Sequence, residues 1–244
     1  RWGHVRCARR LPATDPRYQR PRPASVRLRS PPVVSHAEQL DIFDDTGRHL
    51  GTKARDAVHR DGDWHQVFHV LIVRTEPERE PSVVLQRRSE TKAAFPGLVD
   101  LSATGHLEAG ERPPDGVREL AEEMGIDADP GDLVPLGVRR IVEASGEGKL
   151  NKELAHFFLL ADQRPLSRYR PDQREVSAVV EAGIDRLLDL FADPTKEAAA
   201  RCGPADPPTP CTLRHDDFVP GDSYWITALI MAERFATGRA PLAI

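Results

Sequence analysis

Three glutamates lie close together in the segment Arg118-Glu119-Leu120-Ala121-Glu122-Glu123-Met124-Gly125-Ile126. Glu119 precedes Glu122 by three residues and Glu123 by four, and these spacings bring side chains onto one face of an α-helix. Carboxylates so close together repel each other, and a divalent cation between them would reverse that interaction. Because hard oxygen ligands suit Mg²⁺ and Mn²⁺, the spacing predicts a metal site.

The alternative interpretation is an acidic helix face exposed to solvent, and the neighbouring residues favour the metal site over it. Arg118 lies four residues before Glu122 and is able to orient its carboxylate through a charge-assisted hydrogen bond. Pro113 and Pro114 fit the first turn of a helix, where a missing N–H is tolerated. Gly125 lies where the helix would end. The segment is therefore predicted to be a short helix that carries the three carboxylates.

A longer stretch, from Gly105 to Ile126, resembles the motif of the Nudix hydrolases, G-x5-E-x7-R-E-U-x-E-E-x-G-U, in which U is an aliphatic residue. This chain has G-x5-E-x6-R-E-L-A-E-E-M-G-I, which is one residue shorter between Glu111 and Arg118. The missing residue falls at the junction of loop and helix, so the register of the helix is intact. The wider resemblance covers residues 38–192 and is to the branch similar to isopentenyl-diphosphate isomerase.

This resemblance implies an α/β fold, the Nudix-type α/β/α sandwich with a mixed β-sheet. It implies that Glu119, Glu122 and Glu123 bind Mg²⁺ or Mn²⁺, with a backbone carbonyl near Gly105 completing the shell. The expected activity is that of a pyrophosphohydrolase, which cleaves a phosphoanhydride bond in a substrate of the form X–diphosphate. The group X, a nucleoside or another organic group, is not identified by the sequence.

The base that takes the proton from the attacking water is left open among Glu119, Glu123 and Glu153. Arg118 joins the expected catalytic set because its spacing from Glu122 allows it to orient that carboxylate. Glu153 stands at the start of an apolar strand, which would direct it into the site as a base or a further metal ligand. A charge on an edge strand is an equally good account of Glu153.

Basic residues follow a predicted strand that ends near the acidic motif. Arg87, Arg88 and Lys92 form this cluster, and such groups suit the diphosphate of a substrate. Ordinary surface charge is an equally good explanation. We expect these three residues to bind the diphosphate of the substrate.

Three histidines, His59, His65 and His69, lie upstream of the motif. His69 alternates with core residues in a predicted strand, and His59 and His65 flank a predicted turn, so structural roles are favoured over metal binding. In the isomerases two histidines upstream of the motif bind metal, and the resemblance makes His59 and His65 the matching candidates.

Two other functions, isopentenyl-diphosphate isomerisation and non-catalytic ligand binding, are compatible with the resemblance. The isomerases have a catalytic Cys two residues before the loop His, where this chain has Thr104, and a hydroxyl is far too weakly acidic to replace a thiol. They also keep only the last of the three helix glutamates, so both differences favour hydrolysis. The third candidate is a non-catalytic, ligand-binding Nudix module attached to a regulator, which the intact glutamates disfavour.

The 244 residues are expected to form one Nudix domain, residues 36–244, after a disordered Arg/Pro-rich segment, residues 1–35. A basic start of this kind also occurs in transit peptides and in arms that bind anionic partners. Residues 193–220 are predicted to be a Pro-rich loop or lid, and residues 224–236 a C-terminal helix. Strands are predicted at residues 40–43, 50–52, 67–73, 83–88, 98–102, 133–144, 153–160 and 175–180, and a further helix at 184–191.

Composition bounds the partners and the compartment. The net charge is −4, and the basic start leaves the remainder acidic, which argues against specific nucleic-acid binding by the folded part. No apolar run reaches the roughly 18 residues of a membrane span, so no membrane partner is expected. Cys7, Cys202 and Cys211 suggest no disulfide framework, which favours a reduced, cytoplasmic setting. A small-molecule diphosphate is the expected partner, and homo-oligomerisation is left open.

Overall fold

The computed structural model describes residues 38–76, 79–145, 149–240 and 243, so the expected disordered segment, residues 1–35, lies outside the described residues. The strands are β1 Gln39–Phe43, β2 His49–Ala54, β3 Trp64–Arg74, β4 Ser82–Arg88, β5 Val99–Asp100, β6 Ala103–His106, β7 Val134–Ser145, β8 Lys149–Ala161, β9 Val176–Gly183, β10 Glu197–Gly203 and β11 Thr209–Arg214. The helices are α1 Arg55–Asp61, α2 Arg118–Met124, α3 Ile184–Ala192 and α4 Asp222–Ala236. None of the helices in these ranges is both long enough and apolar enough to cross a bilayer.

The strands form one mixed sheet with β3 near its centre. Seven of them follow the order β11-β10-β9-β4-β3-β1-β2, and β5, β6, β7 and β8 pair off this path. Strand β3 runs parallel to β8, which places His65 opposite Glu153, and antiparallel to β6, which places His69 opposite Thr104. The expected mixed sheet is confirmed, because β3 has a parallel neighbour, β8, and an antiparallel neighbour, β6.

Side chains of β3 alternate between two hydrophobic layers, as the two-residue period of a strand requires. Phe68, Val70 and Ile72 pack with α2 on one face of the sheet. Leu71 and Val73 pack with α3 and α4 on the other face. Helices therefore cover both faces, and the expected α/β/α sandwich is confirmed.

Helix α2 is fixed by its apolar side and by two glycines. Leu120 and Met124 are fully buried against the sheet. A 3-10 turn at Pro113–Val117 leads into the helix, and a Cβ added at Gly116 would lie 2.5 Å from the Cβ of Phe68, so only glycine fits there. The helix ends at Gly125, whose positive φ of 64° favours glycine.

The prediction of a loop or lid at residues 193–220 was wrong for Glu197–Gly203 and Thr209–Arg214, which are strands. Strands β10 and β11 form an antiparallel hairpin that extends the sheet beyond β9. Ala198 and Leu213 are buried against the α3/α4 layer, and Glu197 forms an ion pair with Arg214 directly across the hairpin. Alanine has a low β propensity, and prolines surround the hairpin, so the local sequence did not indicate a strand.

A further expectation needs correction, because Cys202 and Cys211 are joined by a disulfide across the β10–β11 hairpin, although the sequence had suggested no disulfide framework. His59 and His65 do flank a turn, at Gly62 in the left-handed conformation. The residues before this turn, His59 among them, form helix α1, which the sequence did not predict.

The anchoring of α2 can be tested through its stability. We expect Leu120→Ala to lower the free energy of unfolding by about 2–5 kcal/mol, because it removes a fully buried side chain and leaves a cavity. Ile230→Ala, on the partly exposed side of α4, is the matched control and should change stability by less than about 1 kcal/mol. Urea unfolding measures both. Equal, small effects would show that α2 is not held through Leu120.

Candidate active site and metal-binding groups

Two of the three motif glutamates are buried at the edge of a cavity. Glu119 is 8% exposed and Glu123 is 4% exposed, whereas the side chain of Glu122 is 58% exposed. Helical geometry explains this difference in burial. Leu120 and Met124 point into the core, and Glu119 and Glu123, which precede them, therefore lie at the margin of the buried side of α2. The structure therefore places Glu119 and Glu123 together and leaves Glu122 largely in solvent.

Burial disfavours the ionised form of both carboxyl groups when no cation is bound. Desolvation raises the pKa of Glu119 to about 8, although the neighbouring Arg118 opposes the shift. Desolvation also raises the pKa of Glu123 to about 7, against hydrogen bonds that lower it. Two buried carboxyl groups with raised pKa values are a combination that a divalent cation would stabilise in the ionised form.

The backbone at Gly105 lies directly against Glu119. A Cβ added at this glycine would lie 2.1 Å from Glu119 Cδ, so any side chain there would collide with the carboxylate. Glu123 is held by two strands, because its Oε2 accepts hydrogen bonds from the Thr104 N–H of β6 at 3.0 Å and from Gln86 Nε2 of β4 at 2.9 Å. Strand β6 therefore contacts both carboxylates, and β4 also holds Glu123.

Arg118 joins the two ends of the motif. Its Nε donates to Glu111 at 2.9 Å, its Nη1 to Glu119 at 2.6 Å and its Nη2 to the carbonyl oxygen of His106 at 2.8 Å. A weaker ion pair reaches Glu122 at 3.3 Å. The spacing that is one residue shorter than the motif thus still brings Glu111 to Arg118, because the 3-10 turn spans the junction.

Glu153 is the candidate base that the sequence found outside the helix. It lies on β8 opposite His65, accepts a hydrogen bond from Asn151 at 2.6 Å and lines the cavity. Desolvation raises its pKa to about 7. Of the two interpretations left open by the sequence, the structure supports a cavity position and excludes an edge strand, since β8 lies between β3 and β7.

A cluster of three histidines lies beside the carboxylates. Ring nitrogens of His59, His65 and His106 all lie within 4.8 Å of one another. His65 is fully buried and its Nε2 has no hydrogen-bond partner, and His106 Nε2 lies 3.2 Å from His59 Nε2. Desolvation lowers the pKa of all three, so they are neutral imidazoles with lone pairs available to a metal.

Sequence reasoning undervalued this cluster and did not include His106 in it. Its three members come from α1, β3 and β6, and they meet only because β6 pairs with β3. The available signal was the resemblance to the isomerases, which had marked His59 and His65 and had located a loop histidine at position 106. His69, the other upstream histidine, lies outside the cluster but lines the same cavity.

The predicted phosphate-binding residues separate into two groups. Arg88 and Lys92 line the cavity, where Arg88 pairs with Asp100 at 3.0 Å and Lys92 pairs with Glu175. Arg87 points to the other face of β4, donates to the Gly97 carbonyl oxygen and is not among the cavity-lining residues. The alternation of strand β4 explains why neighbouring arginines differ in this way.

The three motif glutamates and Glu153, the basic residues Arg88 and Lys92, and the clustered histidines His59 and His106 line one cavity with a volume of about 790 Å³. Its charged lining includes Arg55, Arg88, Lys92, Asp100, Arg118, Glu119, Glu122, Glu123, Glu143 and Glu153. Aromatic and apolar groups complete it, among them Phe95, Leu101, Val219, Tyr224 and Trp225. The cavity therefore combines acidic metal-ligand candidates, basic groups for phosphate and an apolar wall for an organic group.

Comparison with known proteins agrees with this arrangement. A family model described as NUDIX domain matches residues 65–201. An uncharacterized Nudix hydrolase of Clostridium acetobutylicum is 38% identical over 151 residues, which cover 62% of this chain and 72% of that protein. Nudix hydrolase 3 of Arabidopsis thaliana is 33% identical over 58% of this chain but only 19% of its own length. An isopentenyl-diphosphate Delta-isomerase of Cutibacterium acnes is 38% identical over 61% of this chain and 75% of that protein.

The raised pKa values predict how the metal-free protein responds to pH. Glu119 and Glu123 keep protons in the folded state that an unfolded chain loses near its ordinary carboxyl pKa, so this contribution to stability is complete below about pH 4.5 and is lost as the pH rises through about 7 to 8. We therefore expect the Tm in EDTA to fall over this range and Glu119→Gln to reduce the fall. Glu122→Gln is the control and should leave the pH profile unchanged. Identical profiles for both variants would contradict the burial of Glu119.

Proposed function

The chain belongs to the Nudix family, and from that premise we propose that it is a divalent-metal-dependent hydrolase that cleaves a phosphoanhydride bond in an X–diphosphate substrate. The observation that carries the proposal is the pair of buried carboxylates, Glu119 and Glu123, held against strand β6 at the edge of the cavity. The enzyme class is a hydrolase acting on phosphorus-containing acid anhydrides. X is a nucleoside or another organic group.

The carboxylates fit Mg²⁺ or Mn²⁺ by the chemistry of their donor set. Glu119 and Glu123 supply hard oxygen atoms, and the backbone at Gly105 is close enough to contribute a carbonyl oxygen. Glu122 would act from its more exposed position beside Arg118. When bound, a divalent cation neutralises phosphate oxygens and lowers the pKa of water, which is the chemistry that this reaction requires.

The histidine cluster is the second group of candidate ligands. The unpaired Nε2 of buried His65 supports a bound ligand there, because an orphaned polar atom in the interior is destabilising. Three imidazoles suit Zn²⁺ and related transition-metal ions better than they suit Mg²⁺. Glu153 lies opposite His65 and is able to add an oxygen atom to this set.

The remaining groups of the chain bind, orient and move protons. Arg88 and Lys92 would release Asp100 and Glu175 and donate to the oxygens of the phosphate that does not leave. Arg118 holds Glu119 in place through a direct ion pair. With its pKa raised to about 7, Glu153 is suited to accept the proton of the attacking water near neutral pH, and Glu119 and Glu123 are the alternatives.

Removal of one carboxylate tests the proposed function. We expect Glu123→Gln to lower kcat by about a hundredfold to a thousandfold, on the scale of losing one main electrostatic stabiliser. The fold should survive, because the amide oxygen still accepts from Gln86 and from the Thr104 N–H. Glu233→Gln, on α4 and outside the cavity lining, is the control and should keep full activity. Full activity in Glu123→Gln would contradict the assignment.

Metal titration separates the two groups of ligands. Mn²⁺ binding is measured by calorimetry or from the spectrum of the free ion. We expect Glu119→Gln to lose one class of Mn²⁺ sites and His106→Asn to lose a different class. Each variant should keep the sites lost by the other, because the two groups use different side chains. Loss of the same single class in both would show that they belong to one metal centre.

Isopentenyl-diphosphate isomerisation is the second candidate, and the histidine cluster beside Glu153 favours it. Thr104 argues against it, because its position holds a hydroxyl where the isomerases have a thiol. Incubation with isopentenyl diphosphate distinguishes the two, since isomerisation gives the isomeric diphosphate without phosphate release.

A panel of nucleotide sugars, nucleoside di- and triphosphates and prenyl diphosphates, assayed with Mg²⁺ and Mn²⁺ before and after pyrophosphatase, identifies the bond that is cleaved. Tight binding without turnover would instead support the non-catalytic module.

A further inference from the structure

A histidine and a tyrosine meet on the cavity wall, apart from the metal-ligand candidates. His69 Nδ1 lies 2.6 Å from Tyr224 Oη, so one hydrogen bond joins β3 to α4. Both residues line the cavity. Within the described part of the chain, no other protein group forms a hydrogen bond with His69 Nε2 or with Tyr224 Oη. Their remaining hydrogen-bonding capacity is therefore directed to whatever occupies the cavity.

The surroundings keep this pair uncharged. Phe157 packs edge-on against the Tyr224 ring at 5.5 Å, and the guanidinium of Arg139 lies 4.9 Å from the ring centroid. Desolvation lowers the pKa of His69 to about 4 and raises the pKa of Tyr224 well above its ordinary value. Neutral imidazole and neutral phenol are thus the forms present around neutral pH.

A count of protons shows what the pair presents to a ligand. Neutral histidine has one N–H and tyrosine has one O–H, and one of these two protons occupies the bond between them. If Tyr224 donates to Nδ1, then Nε2–H of His69 donates to the cavity and Oη accepts. If Nδ1–H donates to Oη, then Tyr224 O–H donates and Nε2 accepts. In both tautomers the pair offers one donor and one acceptor.

The His69–Tyr224 pair lies close to the candidate metal ligands but includes none of them. His69 stands directly opposite Thr104, whose N–H binds Glu123, so the pair is one strand away from the buried carboxylates. His65, in the histidine cluster, is four residues earlier on β3 and therefore about 13 Å distant along the strand. A diphosphate bound at the carboxylates would leave its organic group within reach of the pair.

We propose that His69 and Tyr224 form a specificity-determining subsite that binds an uncharged polar group of X, one that has both a hydrogen-bond donor and an acceptor. Hydroxyls of a sugar and the amide-like edge of a nucleobase have this pattern, whereas a prenyl chain has neither group. The inference rests on the proposed function, since it assigns the X side of that substrate. A site built to bond such a group discriminates strongly against analogues that lack it.

Two substitutions test the subsite without touching the proposed metal ligands. Tyr224→Phe removes the hydroxyl and keeps the ring against Phe157. His69→Asn keeps a polar atom near the Nδ1 position that Tyr224 needs and removes the Nε2 position. Tyr169→Phe is the matched control, because it removes another buried tyrosine hydroxyl, one that binds Asp162 and does not line the cavity.

The probes are ADP-ribose and GTP, in which X is polar, and isopentenyl diphosphate, in which X is apolar. Binding is measured by calorimetry in EDTA, and turnover is measured with Mg²⁺. We expect Tyr224→Phe and His69→Asn to weaken binding of at least one polar probe by about 5- to 150-fold, the range for one lost hydrogen bond to a buried group. The change should appear in KM more than in kcat, and binding of isopentenyl diphosphate should stay the same or improve.

The outcomes separate the two proposals. A selective loss for polar probes, absent in Tyr169→Phe, supports the subsite even if the wild-type protein shows no turnover, a result that would overturn the proposed hydrolase alone. A uniform loss for all three probes would show that the pair only fixes α4 to β3 and would overturn the subsite. Unchanged binding in both variants, or no binding of a polar probe by the wild-type protein, would also overturn it.

Discussion

The structure depends on the burial of two carboxylates that the chain cannot neutralise well by itself. Helix α2 buries Leu120 and Met124 on one side, and this anchorage brings Glu119 and Glu123 against strand β6. Arg118 offsets part of the charge of Glu119, but desolvation still dominates the pKa of both acids. The folded chain therefore holds two acids whose ionised forms are disfavoured by burial and would be stabilised by a bound cation, and the packing of the core keeps them in place.

Strand β3 positions groups along the length of the site. One face of the strand packs into the core beneath α2, and the other carries His69 to the cavity wall and His65 to the histidine cluster. Because β3 has β6 on one side and β8 on the other, groups from three strands reach the same space. Metal-ligand candidates, the candidate base Glu153 and the proposed X subsite are thus spaced along a single rigid element, which limits how far each can move relative to the others.

The cavity has different chemistry along its length. Carboxylates, imidazoles and basic side chains surround the part in which a diphosphate would bind, and Arg88 and Lys92 are paired with acids there. Toward α4 the wall is formed by aromatic rings and by a neutral hydrogen-bonding pair.

The sequence by itself determined the local features of this protein. The spacing of Glu119, Glu122 and Glu123, the glycine at the helix end and the period of the strands are short-range properties, and they predicted the short helix and most of the strands. The motif from Gly105 to Ile126 resembled the Nudix hydrolases, and that resemblance implied the sandwich. Only the tertiary structure decided which acids are buried, because that depends on what α2 packs against. It also decided that Arg87 faces away from the cavity and that residues 193–220 contain a hairpin. The meeting of His59, His65 and His106, and of His69 with Tyr224, required pairing between distant segments, whose partners no local pattern specifies.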